Sequence, residues 1–289
     1  SSLVLDAPLV LDQGVDLKKW KPENYGKKFY GPSTLRVGLE KSRNLMTVRI
    51  AQNLGVDKLA RFSKELKIYD NPEELLSISL GSAETTLLNL TSAYSSFVNG
   101  GKLISPIIID RIQDSEGNTI INNENRKCMN CDKISYTGKD YPQIEDNYEQ
   151  VMSEQTAYQV TTILEGVIKR GTGKKLRDLQ LNLAGKTGTT NENTDAWFIG
   201  FTSNLVIGVY VGMDNPKPLG KFETGSKAAL PIFREFIEKS VKKSDARPFK
   251  VPKKMTLMVV DPLTGEKAKF NSKNTIIEAY KSKNVLNGK

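Results

Sequence analysis

The residues best suited to chemistry lie in one short stretch, Lys186-Thr187-Gly188-Thr189. Alternation along a strand puts Lys186 and Gly188 on one face and the two threonines on the other. A lysine in a partly desolvated groove moves protons or holds a carboxylate, and backbone N–H groups on an edge strand bind a developing oxyanion. Glycine inside a strand often marks the close approach of a ligand. The stretch is therefore either an active-site wall or an exposed hairpin with a solvated lysine.

A phosphate-binding loop is the first alternative to test, because Gly185-Lys186-Thr187 resembles the end of a Walker A motif. That motif needs a glycine five residues before Gly185, where Gln180 stands. The run Gly171-Thr172-Gly173-Lys174 fails too, since Lys175 stands where Ser or Thr is required. The sequence therefore predicts no phosphate-binding loop, and we expect no cofactor.

A second candidate is the run Ser42-Arg43-Asn44, which falls between two predicted helices. An exposed loop there offers a hydroxyl for proton relay and an amide that binds a substrate peptide group. The pattern is weak alone, because Ser-x-Asn recurs at Ser272 and Ser282. Helix capping is the competing explanation for Ser42 and Asn44.

Composition restricts the chemistry that these residues can perform. The 289 residues include no histidine, which excludes Ser-His and Cys-His catalysis and any zinc site with a histidine ligand. Proton transfer must then use lysine, a carboxylate, tyrosine or a hydroxyl. Apolar residues make up 38% and charged residues 26% of the chain, which is typical of a soluble globular protein.

A polar segment over 123–150 interrupts the predicted elements and contains Cys128-Met129-Asn130-Cys131. It is too long for an ordinary connection, so we predict a flexible insertion. CxxC is typical of a redox pair, half of a zinc site or a local disulfide. A closed zinc site needs four ligands, and neither a second pair nor a histidine exists. We therefore expect no metal, and a local disulfide or free thiols is the simplest interpretation.

The elements that must position these residues follow from the spacing of apolar side chains. Helical stripes are predicted over about 34–41, 45–54, 57–66, 87–98, 154–170 and 228–242. Strand-like runs cover 183–190, 195–202, 204–213 and 255–260, with a hairpin over 103–122. Short loops between the first three imply antiparallel neighbours. We predict an α+β fold in which helices pack on an antiparallel sheet.

Positive charge is concentrated near the C-terminus. The net charge is +9, and residues 239–289 hold 13 Lys/Arg against 4 Asp/Glu, so residues 1–238 are neutral in sum. We predict a Lys-rich tail over 266–289, either solvated or attracted to an anionic polymer or lipid head groups. It lacks the aromatic interleaving typical of nucleic-acid binding, so no nucleic-acid partner is expected.

Taken in order, the motifs resemble the transpeptidase domain of class A, bifunctional penicillin-binding proteins, close to the 1a type. Lys-Thr-Gly belongs to the motif set of these proteins and of β-lactamases. The resemblance covers most of residues 3–265. It rests on Thr34-Leu35-Arg36, Ser42-Arg43-Asn44, Gly81-Ser82-Ala83-Glu84, Leu90-Thr91, Arg170-Gly171-Thr172-Gly173, Ala184 to Thr190, Asp195-Ala196-Trp197-Phe198 and Glu223-Thr224-Gly225.

The resemblance implies a β-lactamase/DD-transpeptidase-like fold and a serine-type D-Ala-D-Ala transpeptidase. In this family a serine attacks the penultimate D-Ala of a peptidoglycan stem peptide and releases the terminal D-Ala. The acyl group then passes to an amine on a neighbouring strand, and β-lactams trap the same serine. By motif match, Ser42 is the relay serine, and Lys186 supports proton transfer and the positive field of the cleft.

The remaining site residues implied by the resemblance bind substrate. Asn44 would hold the substrate amide, and Thr187 and Thr189 would hold the carboxylate of the substrate or drug. Gly188 lies between them in the motif. The N–H of Thr189 would supply half of the oxyanion hole.

One motif departs from the family pattern. Ser-x-x-Lys should precede Ser42, but residues 1–41 contain no match, and Ser240-Val241-Lys242-Lys243 is in the wrong position. The nucleophile and its lysine base are thus missing from the sequence. The resemblance implies that their helix, with the N-terminal strands of the fold, would lie before Ser1. We therefore expect residues 1–265 to be a partial transpeptidase domain that is inactive alone.

The parent enzyme implied by the resemblance would carry a glycosyltransferase domain and a membrane anchor upstream. It would work on the periplasmic face of the inner membrane. The alternative hypothesis is a non-catalytic module, whose basic tail and half-cleft grip cell-wall polymer or an anionic surface. A Ser-x-x-Lys on an apolar helix upstream of Ser42 would favour the enzyme.

Overall fold

The computed structural model describes residues 2–12, 19–123, 126–131, 141–145, 148–269 and 271–282. Within these ranges helices pack on antiparallel strands, and three consecutive strands form the central sheet. The prediction of an α+β fold with helices packed on an antiparallel sheet is therefore confirmed.

The helices lie where the apolar stripes predict them. Across the described ranges the α-helices are Leu35–Glu40 (α1), Asn44–Leu54 (α2), Val56–Glu65 (α3), Leu87–Val98 (α4), Glu154–Lys169 (α5) and Ala229–Ser240 (α6). Side-chain oxygens of Thr34, Thr86 and Ser153 accept hydrogen bonds from the first turns of α1, α4 and α5. Each cap satisfies a backbone donor that has no partner within the helix.

The strands pair only with antiparallel neighbours in the described part of the chain. They are Leu3–Asp6 (β1), Gly31–Thr34 (β2), Arg111–Gln113 (β3), Thr119–Asn122 (β4), Cys128–Met129 (β5), Gln143–Ile144 (β6), Ala184–Thr189 (β7), Ala196–Phe201 (β8), Val206–Val211 (β9), Met255–Val260 (β10) and Ile276–Lys281 (β11). The central sheet has the order β7-β8-β9, and the other strands form pairs. The hairpin predicted over 103–122 is shorter than expected, because β3 begins only at Arg111.

The two faces of the central sheet are covered by different helices. Phe198 of β8 packs against Phe233 of α6, with ring centroids 4.7 Å apart. Phe201, three residues along the same strand, points to the opposite face and joins the cluster that contains Leu164 and Val167 of α5. All five side chains are buried. Helices therefore pack on both faces of the central sheet. This packing holds the sheet in position, together with the strand β7 at its edge.

The C-terminal residues correct the interpretation of 266–289 as a tail. Strand β11 pairs with β10 along its full length, and Ala279 is buried. The carbonyl of Ala279 accepts a hydrogen bond of 2.8 Å from Gln159 of α5, and Glu278 pairs with Arg36 of α1. The lysine content of this segment masked a strand in which Ile276, Glu278 and Ala279 are buried. Residues 283–289 lie outside the described residues.

The polar segment 123–150 is only partly described, since residues 124–125, 132–140 and 146–147 lie outside the described residues. Cys128 and Cys131 form a disulfide, which agrees with the simplest interpretation of the CxxC. None of the helices that the structure describes is long and apolar enough to cross a bilayer.

Candidate active site

Lys186 and Ser42 meet at the edge of the central sheet. Lys186 pairs with Ile199 in the β7–β8 ladder, so its side chain lies on the face covered by α4 and α5. Its Nζ atom lies 2.8 Å from Ser42 Oγ and 2.9 Å from the carbonyl oxygen of Thr187. The structure thus brings together the two residues that sequence reasoning singled out as catalytic.

The environment of Lys186 changes its acidity. Burial disfavours the charged ammonium and lowers the pKa of Lys186 from 10.5 to about 8. A lysine with a pKa near neutrality exists in both protonation states under ordinary conditions, which is what proton transfer requires. The amine and the Ser42 hydroxyl therefore form a pair that can pass a proton between them.

Ser42 is held by contacts of the residue that follows it. Ser42 has a positive φ of 54°, which places the hydroxyl in the tight connection between α1 and α2. Arg43 donates to the fully buried Asp6 of β1 at 2.9 Å, and its guanidinium carbon lies 3.4 Å from the ring centre of Tyr30. The ion pair and the cation–π contact both restrain the connection. Asn24 also donates to Asp6, at 2.8 Å.

Asn44 is the first residue of α2 rather than a loop residue. Its Nδ2 atom donates to the carbonyl of Glu23 at 2.8 Å, which orients the carboxamide. The N-cap position of α2 is occupied by Arg43 and not by Asn44. The helix-capping alternative for Asn44 is therefore wrong. The fixed orientation leaves the Oδ1 atom as an acceptor.

Thr187 and Thr189 lie on the opposite face of β7 from Lys186, as the alternation predicts. The hydroxyl oxygen of Thr187 lies 2.8 Å from that of Thr172, just beyond α5. The hydroxyl oxygen of Thr189 accepts a hydrogen bond of 3.0 Å from the N–H of Gly225. Since that bond uses only a lone pair, the O–H of Thr189 remains able to donate to a ligand.

The backbone of β7 has one paired and one open edge. The N–H of Thr190 donates to the carbonyl of Asp195 at 3.2 Å, which continues the ladder one residue past β7. Antiparallel pairing alternates, so the N–H groups of Thr187 and Thr189 point away from β8. Within the described ranges no strand pairs with that edge. The open N–H groups can therefore bind an oxygen of a ligand.

Glycines allow a loop to close over the strand. A side chain at Gly225 would collide with the backbone carbonyl oxygens of Gly188 and Trp197. A side chain at Gly188 would approach the Cβ atom of Trp197 at 3.0 Å. The segment Glu223-Thr224-Gly225 thus lies directly against β7, which explains why small residues occur at both positions.

A cavity of about 780 Å³ lies elsewhere, between the C-terminal end of α4 and the N-terminal end of α5. Its wall includes Phe97, Tyr158 and Phe249 but none of the candidate site residues. The candidate site therefore lies outside this cavity.

Sequence reasoning missed Thr172 as a contact of the site, and Asp6 as the anchor of Arg43. Thr172 lies in Arg170-Gly171-Thr172-Gly173, a run noted in the sequence without a role. Its contact with Thr187 is visible only when α5 and β7 are packed together. No local signal marks Asp6 as the partner of a residue 37 positions away.

Comparison with known proteins decides the family. A family model described as the penicillin binding protein transpeptidase domain matches residues 4–238. The chain belongs to the penicillin-binding protein transpeptidase family. The resemblance read from its motifs is therefore confirmed.

Named relatives agree with this assignment. The chain is 42% identical over 284 residues to penicillin-binding protein 1A of Rickettsia bellii (strain RML369-C), covering 97% of this chain and 35% of the relative. It resembles the crystal structure of penicillin-binding protein 1A from Haemophilus influenzae, with a TM-score of 0.83, 30% identity, and coverage of 98% of this chain and 44% of that chain. The 1a type is thus confirmed. The chain spans about a third of the length of such sequence relatives.

A more distant penicillin-binding structure shows the same fold. PonA1 from Mycobacterium tuberculosis in complex with penicillin V has a TM-score of 0.68 and 19% identity, over 92% of this chain and 68% of that one.

Proposed function

We propose that this chain forms the Lys-Thr-Gly wall of a serine D,D-transpeptidase cleft that cross-links peptidoglycan. The hydrogen bond of 2.8 Å between Lys186 Nζ and Ser42 Oγ carries the proposal. The nucleophilic serine and its lysine belong to a Ser-x-x-Lys segment that residues 1–41 do not contain. The activity is therefore proposed for a longer polypeptide that includes this chain.

In the acylation step, Lys186 and Ser42 deliver a proton to the leaving amine. The nucleophilic serine gives its proton to the lysine of its own Ser-x-x-Lys segment, its oxygen bonds to the carbonyl carbon of the penultimate D-Ala, and the C–N bond to the terminal D-Ala breaks. The departing amine needs a proton, which Ser42 donates while Lys186 replaces it from its ammonium. The lowered pKa of Lys186, caused by burial, makes that ammonium a better acid than an exposed lysine. In deacylation an acceptor amine bonds to the acyl carbon and passes its proton back to Lys186 through Ser42, the C–O bond to the nucleophilic serine breaks, and that serine regains its proton from the lysine of its own segment.

Substrate binding uses the open edge of β7. The terminal carboxylate accepts hydrogen bonds from the hydroxyls of Thr187 and Thr189, near the positive charge of Lys186. The N–H of Thr189 stabilises the oxyanion that develops in the transition state, where one such donor contributes about 2.7–4 kcal/mol. The Oδ1 atom of Asn44 accepts from an N–H of the stem peptide, because its Nδ2 atom already donates to Glu23. Gly188 lets the ligand backbone approach.

Penicillins enter the same cleft in this proposal, because their carboxylate and strained amide mimic the D-Ala-D-Ala end. The cleft would face the periplasm, with the parent protein anchored in the inner membrane by a segment outside this chain. These placements follow from the family and from the peptidoglycan substrate.

The test uses the longer polypeptide with a synthetic stem peptide ending in D-Ala-D-Ala, and measures release of D-Ala. We expect release by the wild type and a fall of about 10²–10⁴-fold in kcat for Lys186→Met, since proton transfer contributes this much. Lys239→Met, which alters an exposed lysine on α6, serves as the matched control. If the polypeptide binds cell-wall polymer but releases no D-Ala, the transpeptidase hypothesis is wrong and the hypothesis of a non-catalytic binding module is favoured.

A further inference from the structure

Four charged side chains form a continuous chain next to the candidate site; three of them are buried, and Arg170 at its end is partly exposed. Arg36 donates to both carboxylate oxygens of Glu278, with the Nε contact at 2.6 Å. Its Nη1 atom lies 3.5 Å from Glu40. Arg170 donates to both oxygens of the Glu40 carboxylate, with the Nε contact at 3.1 Å. Two acids and two bases thus alternate in the order Glu278, Arg36, Glu40, Arg170.

The burial of this chain requires explanation. Arg36 and Glu40 are each only 3% exposed, and Glu278 is 8% exposed. Ion pairs at such depth contribute little net stability, because desolvation offsets their attraction. They do impose a geometry, since a two-pronged arginine–carboxylate contact is directional. A role in orientation therefore accounts for the cluster better than a role in stability alone.

The alternating chain connects three elements that surround the cleft. Glu278 lies on β11, Arg36 and Glu40 on α1, and Arg170 follows α5. Gly166 of α5 provides space for the Glu40 carboxylate, since a side chain there would collide with it. The sequence of α5 is thus adapted to this contact.

Both sides of the candidate site are attached to the Glu40 region. The carbonyl of Glu40 accepts from the N–H of Thr172 at 3.2 Å, and the hydroxyl oxygen of Thr172 lies 2.8 Å from that of Thr187. Ser42 follows Glu40 by two residues, and Lys41 between them donates to the carbonyl of Arg170 at 2.5 Å. The backbone of Glu40 therefore lies between the relay serine and Thr172, the contact of the Lys-Thr-Gly strand, while its carboxylate binds the two arginines.

We propose that Glu278, Arg36, Glu40 and Arg170 form a positioning unit that sets Ser42 and Thr187 relative to each other. Strand β11, in the Lys-rich C-terminal segment, is then part of the catalytic apparatus although it lies some distance from the cleft along the chain. Thr172 is the contact through which the unit acts on the strand. This inference rests on the proposed transpeptidase function.

The experiment measures how variants of the longer polypeptide are acylated by a fluorescent penicillin. The binding constant and the acylation rate are determined separately, and the melting temperature of each variant is measured as well. Glu278→Gln breaks the chain of charges. The double variant Arg36→Met with Glu278→Leu replaces the pair by apolar side chains, an exchange that often leaves stability unchanged. Thr172→Val and Thr172→Ser test the link to the strand, and Lys239→Gln is the surface control.

We expect the double variant to melt near the wild-type temperature and to acylate roughly 10-fold to 100-fold more slowly at unchanged penicillin binding, since small misplacements have effects of this size. Thr172→Val should slow acylation similarly, and Thr172→Ser should restore it. Wild-type acylation rates in both the double variant and Thr172→Val would overturn the positioning role, even where Glu278→Gln does not fold. A wild type that penicillin fails to acylate would instead overturn the proposed function on which the inference rests.

Discussion

Lys186 Nζ donates to Ser42 Oγ across 2.8 Å, although the two residues stand 144 positions apart in the chain. The contact joins the edge strand of the central sheet to the connection between the first two helices. Arg43, bound to Asp6 and stacked on Tyr30, holds that connection from the other side. The contact between Lys186 and Ser42 therefore depends on packing between distant elements of the fold, and neither motif forms it alone.

The first prediction concerns the titration of Lys186. Burial lowers its pKa to about 8, so the Cε resonance in carbon-13 NMR should titrate near that value. The exposed Lys239 on α6 should titrate far above it. A midpoint for Lys186 at the ordinary value of 10.5 would show that the amine is solvated and would contradict the proton route.

The second prediction is the effect of the same lysine on stability. The unfolded chain binds a proton at Lys186 up to about pH 10.5, whereas the folded chain loses it near pH 8, so the free energy of unfolding rises with pH between these values. Below pH 8 the buried charge is present and destabilises the fold. Lys186→Met should therefore stabilise the chain near neutral pH, with a smaller gain at higher pH. Denaturant unfolding at the two pH values measures this, and an equal gain at both would contradict it.

The third prediction concerns the hydroxyl of Ser42 in acylation. Ser42→Ala removes the relay hydroxyl, and acylation of the longer polypeptide by penicillin should slow by about 10²–10⁴-fold with little change in melting temperature. The exposed Ser244→Ala is the control and should acylate at the wild-type rate. Unchanged acylation in Ser42→Ala would remove this serine from the proton route.

The fourth prediction concerns the carboxylate contact of Thr189. Thr189→Val removes both the O–H donor and the acceptor for the Gly225 N–H, so penicillin binding should weaken by roughly tenfold, the size of one hydrogen bond to a charged group. Thr189→Ser keeps the hydroxyl and should bind normally. A penicillin methyl ester, which lacks the carboxylate, should bind both variants equally; a difference there would place the effect elsewhere.

The fifth prediction tests the packing that supports the sheet. Phe233 is fully buried against Phe198, and Phe233→Ala should lower the free energy of unfolding by about 3–5 kcal/mol. Phe236 is 47% exposed on the same helix, so Phe236→Ala should have a much smaller effect. Equal losses in urea denaturation would show that α6 does not pack as described.

The central part of the fold follows from local sequence signals. Six apolar stripes predict six helices, and the short loops after β7 and β8 predict an antiparallel sheet with Lys186 and Thr187 on opposite faces. Alternation and helical periodicity are local properties, so a single sequence carries them. The pairing of Ser42 with Lys186 came from the family resemblance, because no local signal brings distant motifs together.

Other features depend on long-range packing and were misread or missed. The lysine content over 266–289 predicts a tail, whereas the structure has strand β11 there, with Glu278 and Ala279 buried. Charge composition does not reveal which acid has a buried arginine partner. Thr172 and Asp6 acquire their roles only from neighbours far along the chain. The catalytic and binding roles of all the site residues, from Ser42 and Asn44 to Lys186, Thr187, Gly188 and Thr189, stay predictions.

The most direct test of the account is peptide mapping by mass spectrometry after incubation with a labelled penicillin. The longer polypeptide should carry one covalent adduct per molecule, on the serine of a Ser-x-x-Lys segment outside residues 1–289, and the 289-residue chain alone should carry none. An adduct on Ser42, or on any other residue of this chain, would contradict the assignment of Lys186 and Ser42 to one wall of a cleft whose nucleophile lies elsewhere.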